Sequence, residues 1–267
     1  MEEPYVDSAR EALVGLFQKR GDKVFYERQL QVAYEDRFFH WVVSRALKEL
    51  TDDRFLETTL VPLFEVGALA AQAELVGVRV RYFWRRGKRY WRRQVDESKK
   101  LIVRYSDPVV TEAVGLHAET MFDAAFGRNG IVSVAQNTRE FNGRTWEESH
   151  HDLDRIYMVD ETPYGAEIKN KLGYIEAEEY VTKLRMCLTL GIRPLFIPRM
   201  MPKSWIYEVS RHSGYCLIFK HQLYPFGMGS FAKEMRDRLG LPADCPRAIA
   251  QGTIDRFVSW HRSSRSR

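Results

Sequence analysis

Apolar positions recur at helical spacing three times within the first 50 residues. Over residues 8–19, Ala12, Leu13, Leu16 and Phe17 fall on one face. A break at Gly21-Asp22 precedes a short second helix over 27–33. Over 37–50, Phe39, Val42, Val43, Ala46, Leu47 and Leu50 form an apolar stripe, opposite Arg37, His40, Ser44, Arg45 and Lys48. Thr51-Asp52-Asp53-Arg54 then turns the chain into a strand pattern over 55–60. An amphipathic helix is expected over 61–78, where Glu65, Gln72 and Glu74 make the run too polar to span a bilayer.

The second half alternates in type. Val110, Val114, His117, Met121 and Phe122 keep helical spacing, with Ser106 or Asp107 placed to cap, Pro108 at the first helical position and Gly127 or Gly130 to end the helix. Strand patterns follow at 131–135 and 153–159. A turn is expected over Glu161-Thr162-Pro163-Tyr164-Gly165, after which a strand resumes with Ala166 and Ile168. A helix over 175–190, an apolar strand over 193–198, a buried strand over 215–219 and a helix over 230–239 complete the pattern.

Composition narrows the class. A chain of 267 residues with 45% hydrophobic and 13% aromatic residues can build two modest cores, and only the tail from Arg262 to Arg267 reads as irregular. The net charge of +5 suits a polyanionic partner, although its distribution carries the argument. Cys187, Cys216 and Cys245 are odd in number and lack CxxC or zinc spacing, so they read as small buried or partly buried side chains in a reducing, cytoplasmic setting. The acidic start Met1-Glu2-Glu3-Pro4 is unlike a secretory signal.

The positive charge is concentrated in residues 78–95, VRVRYFWRRGKRYWRRQV. Arg79, Arg81, Arg85, Arg86, Lys88, Arg89, Arg92 and Arg93 occur there without an intervening acid, and Arg86-Gly87-Lys88 is expected to turn the segment into a hairpin. Such a ribbon supplies phosphate contacts. Its aromatics, Tyr82, Phe83, Trp84, Tyr90 and Trp91, either pack on the domain or stack on unpaired bases. Three helices followed by strands resemble a winged helix-turn-helix domain, in which the third helix enters the major groove; the resemblance implies base or backbone contact by His40, Ser44, Arg45 and Lys48. The same face also suits an ordinary solvated helix.

The chemistry is concentrated in HDLDRIYMVDETPYGAEIKNKLGYI, from His151 to Ile175. Side chains two apart on a strand share a face. Asp152 and Asp154 therefore project together, as do Glu167 and Lys169, and a hairpin can set the two pairs side by side. Carboxylates from neighbouring strands make a hard-oxygen site for Mg²⁺, with Mn²⁺ as a substitute, and a nearby ammonium can orient the attacking water. With the preceding helix bearing Gly115 and Glu119, the strand at 131–135, and the following helix and apolar strand, this order resembles the PD-(D/E)xK nuclease superfamily over residues 106–220. Leu153 stands where that family's motif has proline.

The resemblance implies an α/β chain: a restriction endonuclease-like mixed sheet flanked by helices over 105–267, preceded by a winged-helix α+β domain over 1–104. It also implies a metal-dependent DNA endonuclease, with Asp154, Glu167 and Lys169 catalytic and the carbonyl of Ile168 joining the metal site. Glu119 and Asp152 are further candidate ligands, and Lys171 a candidate phosphate contact. Lys183 reads as part of a solvated helix face. The alternatives are a DNA-binding regulator or scaffold with an inactive nuclease-like domain, and a nuclease acting on RNA or branched DNA. A homodimer would provide the two active sites a double-strand cutter uses, and no membrane partner is expected.

Overall fold

The computed structural model describes residues 3–64 and 77–265. The chain divides into two compact units, Met1–Glu112 with Lys233–Leu241, and Ala113–Ala232 with Pro242–Arg267. Most of the amphipathic helix expected over 61–78 lies outside the described residues, while Val61 and Pro62 belong to a strand.

The first unit runs α1 (Glu3–Lys19), β1 (Val24–Tyr26), α2 (Glu27–Ala33), α3 (His40–Asp52), β2 (Leu56–Pro62), β3 (Arg79–Arg85) and α4 (Trp91–Tyr105). Its core is the predicted set of apolar stripes: Leu13 and Phe17 of α1 meet Val43, Ala46 and Leu47 of α3, with Leu56 and Phe83 closing the sheet side. Burying such a side chain stabilises the fold by roughly 1.5–3 kcal/mol. The three strands form an antiparallel sheet in the order β1-β3-β2.

The hairpin expected over 78–95 does not form. Its first half is β3, paired on one side with β1 and on the other with β2. After Gly87 and Tyr90, both at positive φ, the chain enters α4. Helix wins because Val95, Leu101 and Ile102 recur at helical spacing and bury together, and because Arg93 pairs with Glu97 one turn on.

The second unit contains α5 (Pro108–Gly127, shared with the first), β4 (Val132–Thr138), β5 (Glu140–Phe141), β6 (Arg144–Thr145), β7 (Leu153–Val159), β8 (Thr162–Lys169), α6 (Ala177–Leu190), β9 (Arg193–Pro198), α7 (Lys203–Arg211), β10 (Tyr215–Cys216), β11 (Gln222–Leu223), α8 (Gly229–Leu239, also shared), β12 (Ala243–Asp244) and α9 (Gln251–Arg265). Its main sheet is mixed and has five strands in the order β10-β9-β8-β7-β4. β4, β7 and β8 are antiparallel neighbours, whereas β9 and β10 continue parallel to β8. Helix α6 makes the crossover that parallel pairing requires.

The β7–β8 turn is tighter than expected. Asp160 and Glu161 both adopt left-handed conformations, with φ of 44° and 65°, and close a two-residue hairpin pairing Val159 with Thr162. Thr162 to Gly165 are therefore strand. One sheet face packs on α5 and α9 through Phe122, Phe126, Tyr157, Tyr164, Ala166 and Phe257. The other packs on α6 through Ile156, Met186, Cys187 and Leu190. The expected irregular tail is helical through Arg265, and the Ser263 and Ser264 hydroxyls donate to the carbonyls of Trp260 and His261. The expected strand over 215–219 shortens to Tyr215–Cys216.

Candidate active site and nucleic-acid interface

The β7–β8 ladder sets Arg155 opposite Ala166, so the next step along it places Asp154 opposite Glu167. Ile156 and Gly165 define that face as the one covered by α6. Asp154, Glu167 and Lys169 consequently share it. Asp154 Oδ2 accepts a 2.6 Å hydrogen bond from the Ile168 amide, which fixes its carboxylate at the strand end. Beyond Lys169, buried Asn170 anchors β8 by donating to the carbonyls of Val114 and Leu223 and accepting from the Leu223 amide.

Glu167 is only 1% exposed. Lys169 Nζ lies 2.6 Å from its Oε1, and Lys183 Nζ lies 2.6 Å from its Oε2. Both carboxylate oxygens are buried, and each is met by one ammonium group. Burial, and next the charge of Asp154, push the Glu167 carboxyl up to about 7, against the opposing pull of the two lysines. Burial alone would lower the Lys169 ammonium, but the carboxylates of Glu167 and Asp154 outweigh it and raise it well above its ordinary value. Lys169 also reaches Glu179 Oε1 at 2.9 Å.

Lys183 is not on a solvated face. It is 4% exposed, and besides Glu167 it donates to the carbonyl of Asp152. Gly165 makes this approach possible: a Cβ there would stand 2.8 Å from both Cys187 Sγ and Ile192 Cδ1, so only a glycine lets α6 settle this closely on β8. Lys183, four positions before Cys187, is carried by the same helix face onto Glu167.

The remaining candidates are placed differently. Glu119, on α5, faces Arg155 with its Oε2 3.1 Å from Nη1. Burial and the charge of Asp154 raise its pKa. Arg155 is in turn held by Asp123 at 3.0 Å and donates to the Asp154 carbonyl, while Tyr157 donates to Asp123 at 2.5 Å. Glu119 is thereby part of an arginine-centred network on the α5 side. Asp152 contributes its carbonyl, to Lys183, and lies just before β7. Among the described residues no three His, Cys, Asp or Glu side chains come together as a metal group, so the four-carboxylate set of Glu119, Asp152, Asp154 and Glu167 is not assembled. Lys171 follows the end of β8, with its Nζ 3.9 Å from Glu176.

What the structure does assemble is a buried cluster of carboxylates and ammonium groups. Asp154, Glu167 and Glu179 stand against Lys169 and Lys183, three carboxylates to two ammonium groups. The carboxylate donors are all oxygen, and the Glu167 oxygens are buried against the two ammonium groups. Asp154, Glu167 and the carbonyl of Ile168 are thus the residues that would hold a divalent ion. Sequence reasoning missed Lys183, Glu179, Arg155 and Asp123. The available signal was Glu179 and Lys183 at i, i+4, with Cys187 one turn further along the same stripe.

In the first unit, the face of α3 opposite the core is largely engaged. The Ser44 hydroxyl donates to Glu27 at 2.6 Å and accepts from Gln31 at 2.9 Å, joining α3 to α2. Ser44 is therefore a packing residue and not a base contact, because its position on α3 turns it toward α2. Arg45 pairs with Glu49 and Lys48 with Asp52 along the helix, leaving them on exposed surface, as is His40.

The basic segment divides more sharply. Tyr82, Phe83 and Trp84 of β3 are buried. Arg79, Arg81, Arg86 and Arg89 are exposed or half-buried and meet no carboxylate among the described residues. Lys88 donates to the Asp22 carbonyl, Arg85 lies over Phe55, Arg92 over Trp91, and Arg93 pairs with Glu97. No helix among the described residues is long and apolar enough to cross a membrane. Compared with known protein families, curated proteins and solved structures, the chain has no match.

Proposed function

We propose that the chain is a metal-dependent DNA endonuclease of the PD-(D/E)xK type, with its first unit acting as a winged-helix DNA-binding domain. The observation that carries this reading is the pairing of Asp154 with Glu167 across the β7–β8 ladder, with Lys169 on the same face and its ammonium 2.6 Å from the buried Glu167 carboxylate. The element order supports a restriction endonuclease-like core: a helix, three antiparallel strands, a helix and a parallel strand. The order α1-β1-α2-α3-β2-β3 similarly supports a winged helix.

In this reading Asp154 and Glu167, with the Ile168 carbonyl, hold one Mg²⁺. The ion supplies Lewis acidity toward a phosphate oxygen and an activated water. Lys169 orients the attacking water and offsets negative charge developing on the phosphate. Lys183 neutralises the inner oxygen of Glu167 and keeps its carboxylate fixed at the strand. The exposed arginines of 79–89 hold phosphates, which makes binding steeply salt-dependent and independent of the metal.

The test is incubation of the purified chain with linear, circular, single-stranded and branched DNA, and with RNA, with and without Mg²⁺ or Mn²⁺. Cutting of circular DNA that requires the metal is the expected result. Tight binding with no cleavage of any substrate would favour a DNA-binding scaffold, and cleavage restricted to RNA would replace the substrate.

A further inference from the structure

We infer that Tyr90 and its neighbours form a stacking site for an unpaired base at the edge of the basic surface, so that the nucleic acid bound by the first unit carries a single-stranded segment. The inference rests on the reading of this surface as nucleic-acid-binding, and deepens it.

Tyr82, Phe83, Trp84, Tyr90 and Trp91 lie close in sequence, but the structure uses them differently. The first three are core. Trp91 stacks on Trp84, with ring centroids 4.4 Å apart and planes 12° from parallel, and Trp84 is further held by its indole N–H donating to Glu57 at 2.7 Å. Tyr90 projects away, 86% exposed, the most exposed large apolar side chain among the described residues. A ring left this far in water forgoes the burial that aromatic side chains normally gain.

The backbone also holds Tyr90 in an uncommon state. Its φ of 58° and ψ of 27° are left-handed, a conformation that asparagine or glycine adopts more readily than a tyrosine. Beside it opens a cavity of about 560 Å³ lined by Tyr90, Trp91, Arg92 and Arg93. That falls within the size range of small-molecule sites and exceeds what a single base needs. Trp91, one of its lining residues, is braced from behind by its stack on buried Trp84. Arg92 lies over the Trp91 ring at 5.3 Å, and Arg89 and Arg92 provide positive charge for the flanking phosphates.

Aromatic faces with guanidinium groups match the two parts of a nucleotide in a strand, a π-face and a phosphate. A fully paired duplex presents the phosphates but keeps its bases stacked inside. Only an unpaired base would use the Tyr90 ring.

Binding is measured without divalent metal, so its outcome is independent of catalysis. The substrates are a blunt duplex and the same duplex with a short 3′ or 5′ overhang, in DNA and RNA versions, with 2-aminopurine as the first unpaired base. The wild-type chain is expected to bind an overhang substrate about tenfold more tightly than the blunt one and to quench 2-aminopurine, about the worth of one aromatic–base stack. The nucleic acid giving the larger preference names the source. Tyr90→Asn, which tolerates the left-handed backbone while removing the ring, is expected to abolish the preference and the quenching, and Tyr90→Trp to keep both. Equal wild-type affinity for blunt and overhang substrates would overturn the inference, as would Tyr90→Asn weakening both equally. In either case metal-dependent cleavage of duplex DNA would still leave the nuclease reading intact. Loss of cleavage alone would leave the stacking site intact.

Discussion

The two charged regions of this protein solve opposite electrostatic problems. Around Glu167, carboxylates and lysines are buried together and compensate one another over contacts of 2.6–2.9 Å. Along Arg79 to Arg89, five arginines meet no carboxylate among the described residues and remain exposed. The first region is held by the fold and is costly to disturb, because a buried charge that loses its partner keeps its desolvation penalty. The second costs the fold little, and its mutual repulsion is relieved by salt or by a bound polyanion. In the proposed reading the contrast is one of roles: catalytic groups must be preorganised, whereas phosphate contacts need only be presented.

Breaking the buried cluster should have the largest effect. Lys183→Met removes one of the two ammonium groups at Glu167 and leaves an unbranched side chain of similar volume without charge. A loss of about 3 kcal/mol of stability is expected, read as a lowered thermal unfolding midpoint of the second unit. An unchanged midpoint would mean that Lys183 is not buried against Glu167. Next comes the exposed cluster: Arg81→Glu with Arg86→Glu should weaken DNA binding by one to two orders of magnitude and reduce the salt slope by about one per lost phosphate contact. Thermal stability should barely move, since surface substitutions lie within about 0.5 kcal/mol.

The pH response sharpens the same contrast. Because Glu167 is raised to about 7 in the fold from 4.5 when unfolded, the folded state binds the extra proton between those values. Stability is therefore greatest below about 4.5 as far as this group is concerned, falls as pH rises through about 7, and is flat above. Glu167→Gln should remove that slope, on the order of 1–3 kcal/mol across the window, when unfolding is followed by denaturant titration. The smallest effect is expected at Ser44→Ala. Losing the bridge to Glu27 and Gln31 should cost about 1 kcal/mol of stability and leave DNA sequence preference unaltered, since the hydroxyl faces α2.

Much of this arrangement was legible in local pattern. The stripes at Leu13 and Phe17 and at Val43, Ala46 and Leu47 specified the helices of the first unit, and the two-residue period around Asp154 and Glu167 gave their shared face. The basic segment misled because arginine and aromatic residues suit a strand and a helix equally. Only the distant burial of Val95, Leu101 and Ile102 decides for α4. Lys183 was misread for a related reason: a lysine on a helix is usually solvated. What buries it is Gly165, whose missing side chain brings α6 onto β8 from eighteen positions away in sequence. The pairing of Glu119 with Arg155 was not legible, because the partners of Arg155 come from another element and leave no local trace.

The most direct test of the central claim is cleavage of circular DNA by the wild-type chain beside Asp154→Ala, Glu167→Ala and Lys169→Ala, with DNA binding measured in parallel without metal. The account predicts Mg²⁺-dependent nicking or linearisation by wild type, at least about 100-fold less by each variant, and binding within a factor of about two for all four. Cleavage by any of the variants at the wild-type rate, with or without Mg²⁺, would contradict it.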